Sequence, residues 1–356
     1  MNQDFDSNRY LQSLLDLGMS PVEAKDIVNK TIRSSIDAGD SATIKNGKSI
    51  QKTVLETNQN SENFKESNNS ECIQFINTTF MLCNLPKKKP EGSFFQRVNG
   101  YRTFRLISQP DIGLPYGKWA RLLLIYISTE VKLKKSKHIF FGTSLRDLIR
   151  ILMSDESSKN MNSAERNAVL DQLKRLLTTT FSIIENDTKS AIKKFEFQNC
   201  TLAEQGVIFY DDAGNWSTSI TLTEIFYQNC INHSAPIDMN IVRSLTSSYE
   251  IDLYCWLCYR LNSIKHPTNI PWEQLFIQFS DPLAEEMLIT KNSNMIQLKK
   301  QTIPSYKSSM ELQKSFRNFK THFQVKLKSI KNIFGEELSY TSNKNCLILF
   351  PSKNSQ

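Results

Sequence analysis

A single long helix near the C-terminus constrains this chain more than any other feature. From Leu312 to Phe334 the large apolar residues are Leu312, Phe316, Phe319, Phe323, Leu327, Ile330 and Phe334. Every step is three or four residues, so all seven fall on one stripe of an α-helix. The opposite side carries Lys314, Arg317, Asn318, Thr321, Gln324 and Lys328, and no acidic residue occurs between Glu311 and Glu336. Such a helix needs a core beneath it. Its upper face lacks the interspersed glutamates of a merely solvated face, which points to a polyanion. After it come Glu337-Leu-Ser-Tyr-Thr341, a polar turn Ser342-Asn-Lys-Asn345, and Cys346-Leu-Ile-Leu-Phe350. That is a hairpin, and a basic amphipathic helix followed by a hairpin is how a winged helix ends. A helix of this kind suits the DNA major groove.

Donor geometry assigns roles along the upper face. Arg317, Asn318 and Gln324 offer paired hydrogen bonds to guanine or adenine edges, and Thr321 and Val325 can meet a thymine methyl. Lys314, Lys328 and Lys344 at the hairpin turn suit phosphates. An earlier helix, Ser163 to about Thr179, places Val169, Leu173, Leu176 and Leu177 on its buried side. It leaves Asn167, Asp171, Lys174, Arg175 and Thr178 exposed. Lys174 and Arg175 are the candidate DNA contacts there, and a dimer face is the alternative use of that helix.

Charge along the chain is blocked. Residues 1–85 sum to −3, residues 86–155 to +9, residues 156–240 to −4 and residues 241–356 to +6, within a total of +8. Two basic blocks separated by an acidic one are expected if two surfaces face phosphates. Lys132 to Lys137 is a further basic run, either a solvated loop or a phosphate clamp. The turn Lys87-Lys-Lys-Pro90 is also basic.

Residues 9–36 alternate apolar runs with charges, and Ser20-Pro-Val-Glu23 has the composition of a capped helix start. Residues 39 to 72 are Asn, Ser, Lys, Gln and Glu with almost no large apolar residue, the composition of a linker. Tyr101 to Ile107 alternates as a strand does. Helices are predicted over Tyr116 to Val131 and Thr143 to Leu152, before the one from Ser163. Strands follow at about 180–186, 191–200, 205–211 and 216–222, the last two joined by a turn at Asp211–Asn215. Thr223 to Cys230 and Asp238 to Leu245 are short helices. The second half repeats the order, with helices over Glu250 to Leu261, Pro271 to Phe279 and 312–334, then the hairpin at 337–350. Residues 281–310 are expected to be an exposed insertion.

The fold expected is therefore α+β, with two tandem winged-helix domains preceded by a flexible N-terminal region. Its divisions are a helical segment over 1–38, a linker over 39–72, a first domain over 73–245 and a second over 246–356.

Several stretches resemble the plasmid-encoded RepA replication initiators. They run through Val98-Asn-Gly100, Ile112-Gly-Leu-Pro-Tyr-Gly117, Arg121-Leu-Leu-Leu124, Thr129-Glu130, Gly142-Thr-Ser-Leu145, Leu173-Lys-Arg-Leu176 and Ile220-Thr-Leu222. They continue with Pro236-Ile-Asp238, Asp252-Leu-Tyr254, Trp256-Leu257, Tyr259-Arg-Leu261 and Pro271-Trp272. Ala120 departs from the pattern, where Pro would precede the Arg-Leu-Leu-Leu run. The resemblance spans about residues 75 to 350 and leaves the first 70 unmatched. It implies an initiator that binds repeated origin sites on double-stranded DNA, helps open the duplex and recruits host replication proteins such as a helicase and the host initiator. It also implies repression of its own promoter as a homodimer.

Other chemistry is weakly signalled. Gly47-Lys-Ser49 has the ending of a phosphate-binding loop, but Ala42 stands where the loop needs glycine and no apolar strand precedes it. Cys255-Trp-Leu-Cys258 has the CxxC spacing but lies among Leu253, Leu257 and Leu261, the pattern of a core helix. His138, His233, His266 and His322 are scattered, whereas a nicking nuclease needs neighbouring metal-binding histidines. The expectation is a protein without catalytic activity, metal or cofactor. A transcriptional regulator is the alternative within the same class, and a nicking nuclease or primase the less favoured one outside it. Seven cysteines without framework spacing, no secretory signal and no membrane-length apolar run point to a reducing cytoplasm, and the resemblance implies a bacterial one.

Overall fold

The computed structural model describes residues 72–153, 161–187, 194–210, 216–280 and 309–351. The N-terminal segment and linker up to Glu71, Gly47-Lys-Ser49, the turn at 211–215 and most of the 281–310 insertion lie outside them.

The first half opens with β1 (Ile73–Asn77), α1 (Thr78–Leu82), β2 (Phe94–Asn99) and β3 (Arg102–Ile107). Then come α2 (Gly117–Lys134), β4 (His138–Phe140), α3 (Leu145–Leu152) and α4 (Ser163–Thr178). Four strands follow, β5 (Thr180–Asp187), β6 (Lys194–Thr201), β7 (Ala203–Tyr210) and β8 (Trp216–Leu222). The connection to the second half holds α5 (Glu224–Asn232), β9 (Ser234–Asp238) and α6 (Met239–Ser244). The second half comprises α7 (Ser248–Ser263), β10 (Thr268–Pro271), α8 (Trp272–Phe279), α9 (Ser309–Phe334), β11 (Tyr340–Ser342) and β12 (Cys346–Leu349).

The helix starts follow local chemistry. Ser247 and Glu250 form a reciprocal capping box at the start of α7, and Asn162 with Glu165 does the same for α4, which satisfies amides that the first turn leaves unpaired. Ser144 caps α3 through the Asp147 amide.

One arrangement occurs twice. In the first half β4, β8 and β7 make a three-stranded antiparallel sheet in the order β4-β8-β7, with α2, α3 and α4 preceding the β7–β8 hairpin. In the second, β10, β12 and β11 repeat that order, with α7, α8 and α9 preceding the hairpin. Each set thus runs helix, short strand, helix, helix, hairpin, and the short strand pairs with the last strand of the hairpin. The first set differs by an insertion, because β5 and β6 leave it to join β2 and β3 in a sheet ordered β2-β3-β5-β6. On its outer strand Phe195 and Phe197 are exposed.

The division at 245/246 is not a break in packing. Residues from Cys72 onward form one unit, and buried side chains from both halves join a continuous core. Two buried arginines tie the halves together. Arg121 on α2 meets Asp252 on α7 through two 2.6 Å hydrogen bonds. Arg121 also donates to the carbonyls of Leu85 at 2.7 Å, Gly117 at 2.8 Å and Pro86 at 3.2 Å. Arg97 on β2 donates to the carbonyls of Ser280 at 2.7 Å and Ile277 at 3.2 Å, holding the four-stranded sheet against α8. Strand β1 pairs with β9, and Thr129 on α2 reaches the Phe75 amide at 2.8 Å.

Candidate nucleic-acid interface

Helix α9 buries the stripe read from its sequence. Phe319, Phe323, Leu327 and Ile330 are buried, and Phe316 and Phe334 pack at the margin of the core. Beneath it lies an aromatic cluster. The Phe323 ring stands 5.5 Å from Phe279, 5.8 Å from Trp272 and 6.4 Å from Trp256, each edge to face. Phe319 packs the same way on Phe276 at 5.2 Å. Edge-to-face packing favours one orientation of each ring, so the roll of α9 about its own axis is fixed from below.

That roll presents Lys314, Arg317, Asn318, Thr321, Val325 and Lys328 to solvent. Their spacing of three, one, three, four and three residues makes a single strip along the helix. No described carboxylate pairs with any of them. Val325, 61% exposed, interrupts the strip with an apolar group. The Thr321 hydroxyl donates to the Arg317 carbonyl at 3.2 Å, and Arg317 Nε to that of Gln313 at 3.4 Å. These are long contacts within the helix, and most of the Arg317 donors stay free.

The hairpin closes one side of this strip. Lys320 Nζ donates to the Lys344 carbonyl at 2.8 Å and lies 5.1 Å from the centre of the Trp272 ring. Gln324 Nε2 reaches Ser342 Oγ at 3.3 Å. Trp272 donates from its ring nitrogen to the Asn343 carbonyl at 3.0 Å and from its backbone to the Asn345 carbonyl at 3.1 Å. Within the turn, Asn343 Oδ1 accepts the amides of Asn345 and Cys346 at 2.8 and 2.9 Å, a side-chain-closed turn of the kind asparagine favours. Lys344 therefore projects, exposed, from a turn pinned to α9 and α8. Gln324 is half-buried and serves this hairpin as well as offering its amide outward. Neither that structural role nor the part of Trp272 is legible in the sequence, where Pro271-Trp272 stands only among the stretches that carry the resemblance.

On the other side of α9, Lys326 Nζ donates to Glu250 Oε1 at 2.9 Å. Burial alone would raise the Glu250 carboxyl. Hydrogen bonds from Lys326, Thr246 and Ser247 outweigh it and hold the group down at about 2. The stability this gives is fully present above the ordinary carboxylate range and is lost as pH falls toward that value.

The earlier candidate helix, α4, presents a different surface. Asn167, Lys174 and Thr178 are exposed as expected, but Arg175 is 8% exposed and is not on that face. Its Nε donates to Asp171 at 2.7 Å, its Nη1 to the Leu114 carbonyl at 3.4 Å, and its guanidinium lies 5.5 Å from the Tyr116 ring centre. The reason is the Gly113-Leu-Pro-Tyr segment, which folds over this side of α4. Gly113 sits at φ +81°, and any side chain there would collide with Arg175 Nη1. Gln172 completes the seat by accepting the Tyr116 amide at 2.7 Å. Beside Arg175, a cleft of about 470 Å³ between α4 and β7 is lined by Asp111, Asp171 and Glu204 as well as Lys174. Three carboxylates against two cations give no attraction for phosphate, so the charge expected on this helix is cancelled locally.

Cys255 and Cys258 lie within α7, Cys255 fully buried, and burial pushes the Cys258 thiol up to about 12. Neutral, inward thiols of this kind pack as small apolar groups. Among the described residues no group of histidine, cysteine and carboxylate side chains is placed to hold a metal ion. No helix among them is long and apolar enough to cross a membrane.

Residues 114–274 match the family model described as plasmid encoded RepA protein. Over that segment the chain is similar to the plasmid encoded RepA proteins. The matched segment runs from the start of α2 into α8, so it contains both partners of the Arg121–Asp252 pair and Arg175 with its Tyr116 seat. It ends before α9 and the hairpin at 340–349. No curated protein sequence matches the chain. Among solved structures, a crystal structure of selenomethionine derivatives of domains 2 and 3 of RctB is similar, with a TM-score of 0.46 and 11% identity over 77% of this chain and 98% of that one. A second crystal structure of RctB domains 2–3 gives 0.45 and 9%, over 78% and 98%.

Proposed function

We propose that this chain is a non-enzymatic plasmid replication initiator that binds origin DNA through α9. We read the two helix–strand–helix–helix–hairpin sets as tandem winged helices. The observation that carries the proposal is the exposed strip of α9, basic and amide-bearing, without a paired carboxylate and bordered by a pinned hairpin. The RepA match supplies the context of plasmid replication. Bound copies on successive repeats would strain an adjacent duplex, with the energy for opening coming from binding and DNA deformation. Recruitment of host replication proteins and self-repression as a dimer belong to the same reading.

The roles along α9 separate by experiment. Replacing Lys328 with alanine is expected to weaken all duplexes about equally and to lower the slope of log affinity against log salt by about 1, as for one lost phosphate contact. Replacing Arg317 with alanine is expected to cost about 1–3 kcal/mol on the preferred site and little on a scrambled duplex. Equal losses on both duplexes would make Arg317 a phosphate contact. Gln324→Ala is less clean, because it also removes the bond to Ser342. Metal-dependent nicking or primer synthesis by the purified chain would overturn the non-enzymatic reading.

A further inference from the structure

We propose that Lys88 and Lys89, in the turn between α1 and β2, form a second phosphate-binding flank for α9, so that bound duplex DNA is gripped on both sides of that helix. The inference rests on reading α9 as the duplex-binding helix.

Around α9 the exposed strip has two flanks. One is the hairpin, which Lys320 and Gln324 hold and from which Lys344 projects. On the opposite flank stand His322 and Lys326, about a quarter-turn from the strip at 100° per residue. Here α9 meets the Pro86–Pro90 turn through the Tyr249 ring. His322 packs edge to face on that ring at 4.8 Å, and Lys87 Nζ lies 4.4 Å from the same ring centre. Lys87 also donates to the Phe279 carbonyl, the last residue of α8. Its charge is thereby spent inward, on Tyr249 of α7 and the end of α8. Pro86 and Pro90 bracket the turn and limit its freedom.

Lys88 and Lys89 follow immediately. Both are exposed, and no described carboxylate pairs with either. Burial, then the charges of Lys326 and Lys87, hold the His322 imidazole below its ordinary range against the opposing Glu250 carboxylate. A solvated turn would account for one stray lysine. Two lysines without a described carboxylate partner, on a proline-bracketed turn whose preceding lysine seats on the same Tyr249 ring that His322 of α9 packs against, call for an anion.

The dimensions suit a duplex. A helix with side chains is about 10–12 Å across, close to the roughly 12 Å width of the major groove. A helix lying in that groove therefore has one sugar-phosphate backbone along each flank. Lys344 is placed for one and Lys88 with Lys89 for the other. Such contacts position the protein and do not read sequence.

The test uses the full chain carrying Lys88→Gln and Lys89→Gln together, beside Lys344→Gln and Lys328→Ala. Binding of a fluorescent mixed-sequence duplex is titrated across a range of salt, and lysine acylation is mapped with and without the duplex. The turn variant is expected to lose about 2 from the salt slope, Lys344→Gln about 1, and the duplex is expected to shield Lys88 and Lys89 from acylation. The substituted side chains are exposed, so an unchanged thermal midpoint serves as the folding control. An unchanged slope with both lysines still acylated, while Lys328→Ala lowers the slope, would overturn the flank and leave α9 standing. Unchanged slopes in all three variants would overturn the reading of α9 as well. Shielding by polyglutamate but not by duplex would overturn the flank in favour of an acidic protein partner.

Discussion

Asp252→Ala is expected to destabilise the folded chain by about 3–5 kcal/mol, the usual cost of stranding one partner of a buried ion pair. Asp252 and Arg121 are each almost wholly inaccessible, with side chains 5% and 4% exposed. Without the carboxylate, Arg121 keeps the carbonyls of Leu85, Pro86 and Gly117 but has no counter-charge. Asp252→Asn retains an acceptor and is expected to fall between wild type and Asp252→Ala. Replacing both partners by apolar residues, Arg121→Met with Asp252→Leu, removes the stranded charge. It also removes the guanidinium donor from the Leu85 carbonyl, while the Pro86 carbonyl keeps the Gly117 amide at 3.1 Å, so it should recover only part of the loss. Urea unfolding followed by tryptophan fluorescence reads all three. If Asp252→Ala unfolds at the wild-type midpoint, the pair is not a clamp between α2 and α7.

Phe323→Ala is the second large effect expected, about 3–5 kcal/mol for truncating a fully buried phenylalanine. Phe323 is the residue through which α9 meets Trp256, Trp272 and Phe279 at once. The cavity lies directly beneath the strip that carries Arg317 and Lys328. The variant is therefore expected to weaken DNA binding although it touches no DNA, because the roll of α9 is no longer fixed. Phe323→Leu fills part of the space and should lose less on both counts. Urea midpoints and duplex affinity of the two variants together check this. Loss of stability with full affinity would show that binding does not depend on how α9 is seated.

The comparison of sequence with structure divides along the range of the interactions. The stripe from Phe316 to Phe334 was legible because helical periodicity is local, and the residues it predicted to face the core do so from Phe316 onward. The helices that begin at Gly117, Leu145 and Ser163 were legible too, expected from Tyr116, Thr143 and Ser163. The strands β4 and β10 have three and four residues, too short for alternation to show, and they exist because a distant hairpin strand pairs with them. Joining β2 and β3 with β5 and β6 in one sheet was equally hidden, since nothing in Phe94–Asn99 names its partner.

Charged residues were harder still. Arg175 read as exposed because its neighbours Leu173 and Leu176 define the buried side of α4, and the covering loop comes from sixty residues earlier. Arg121 and Asp252 stood in quoted motifs without any sign that they meet. At the interface, Lys314, Arg317, Asn318, Thr321, Lys328 and Lys344 emerge on one surface because the helix stripe and the hairpin turn were both local patterns. The Lys87–Tyr249–His322 contacts, which relate the turn carrying Lys88 and Lys89 to α9, are ones that no spacing in the chain announces.

The most direct test of the central claim is a footprint of the purified chain on the DNA upstream of its own coding sequence, with the Arg317→Ala, Gln324→Ala double variant alongside. The account predicts protection of regularly spaced repeats at moderate salt by the wild type, and its loss in a double variant that remains folded. Equal protection by both proteins would contradict the assignment of α9 as the reader, and no protection by either would leave its basic face to a partner other than DNA.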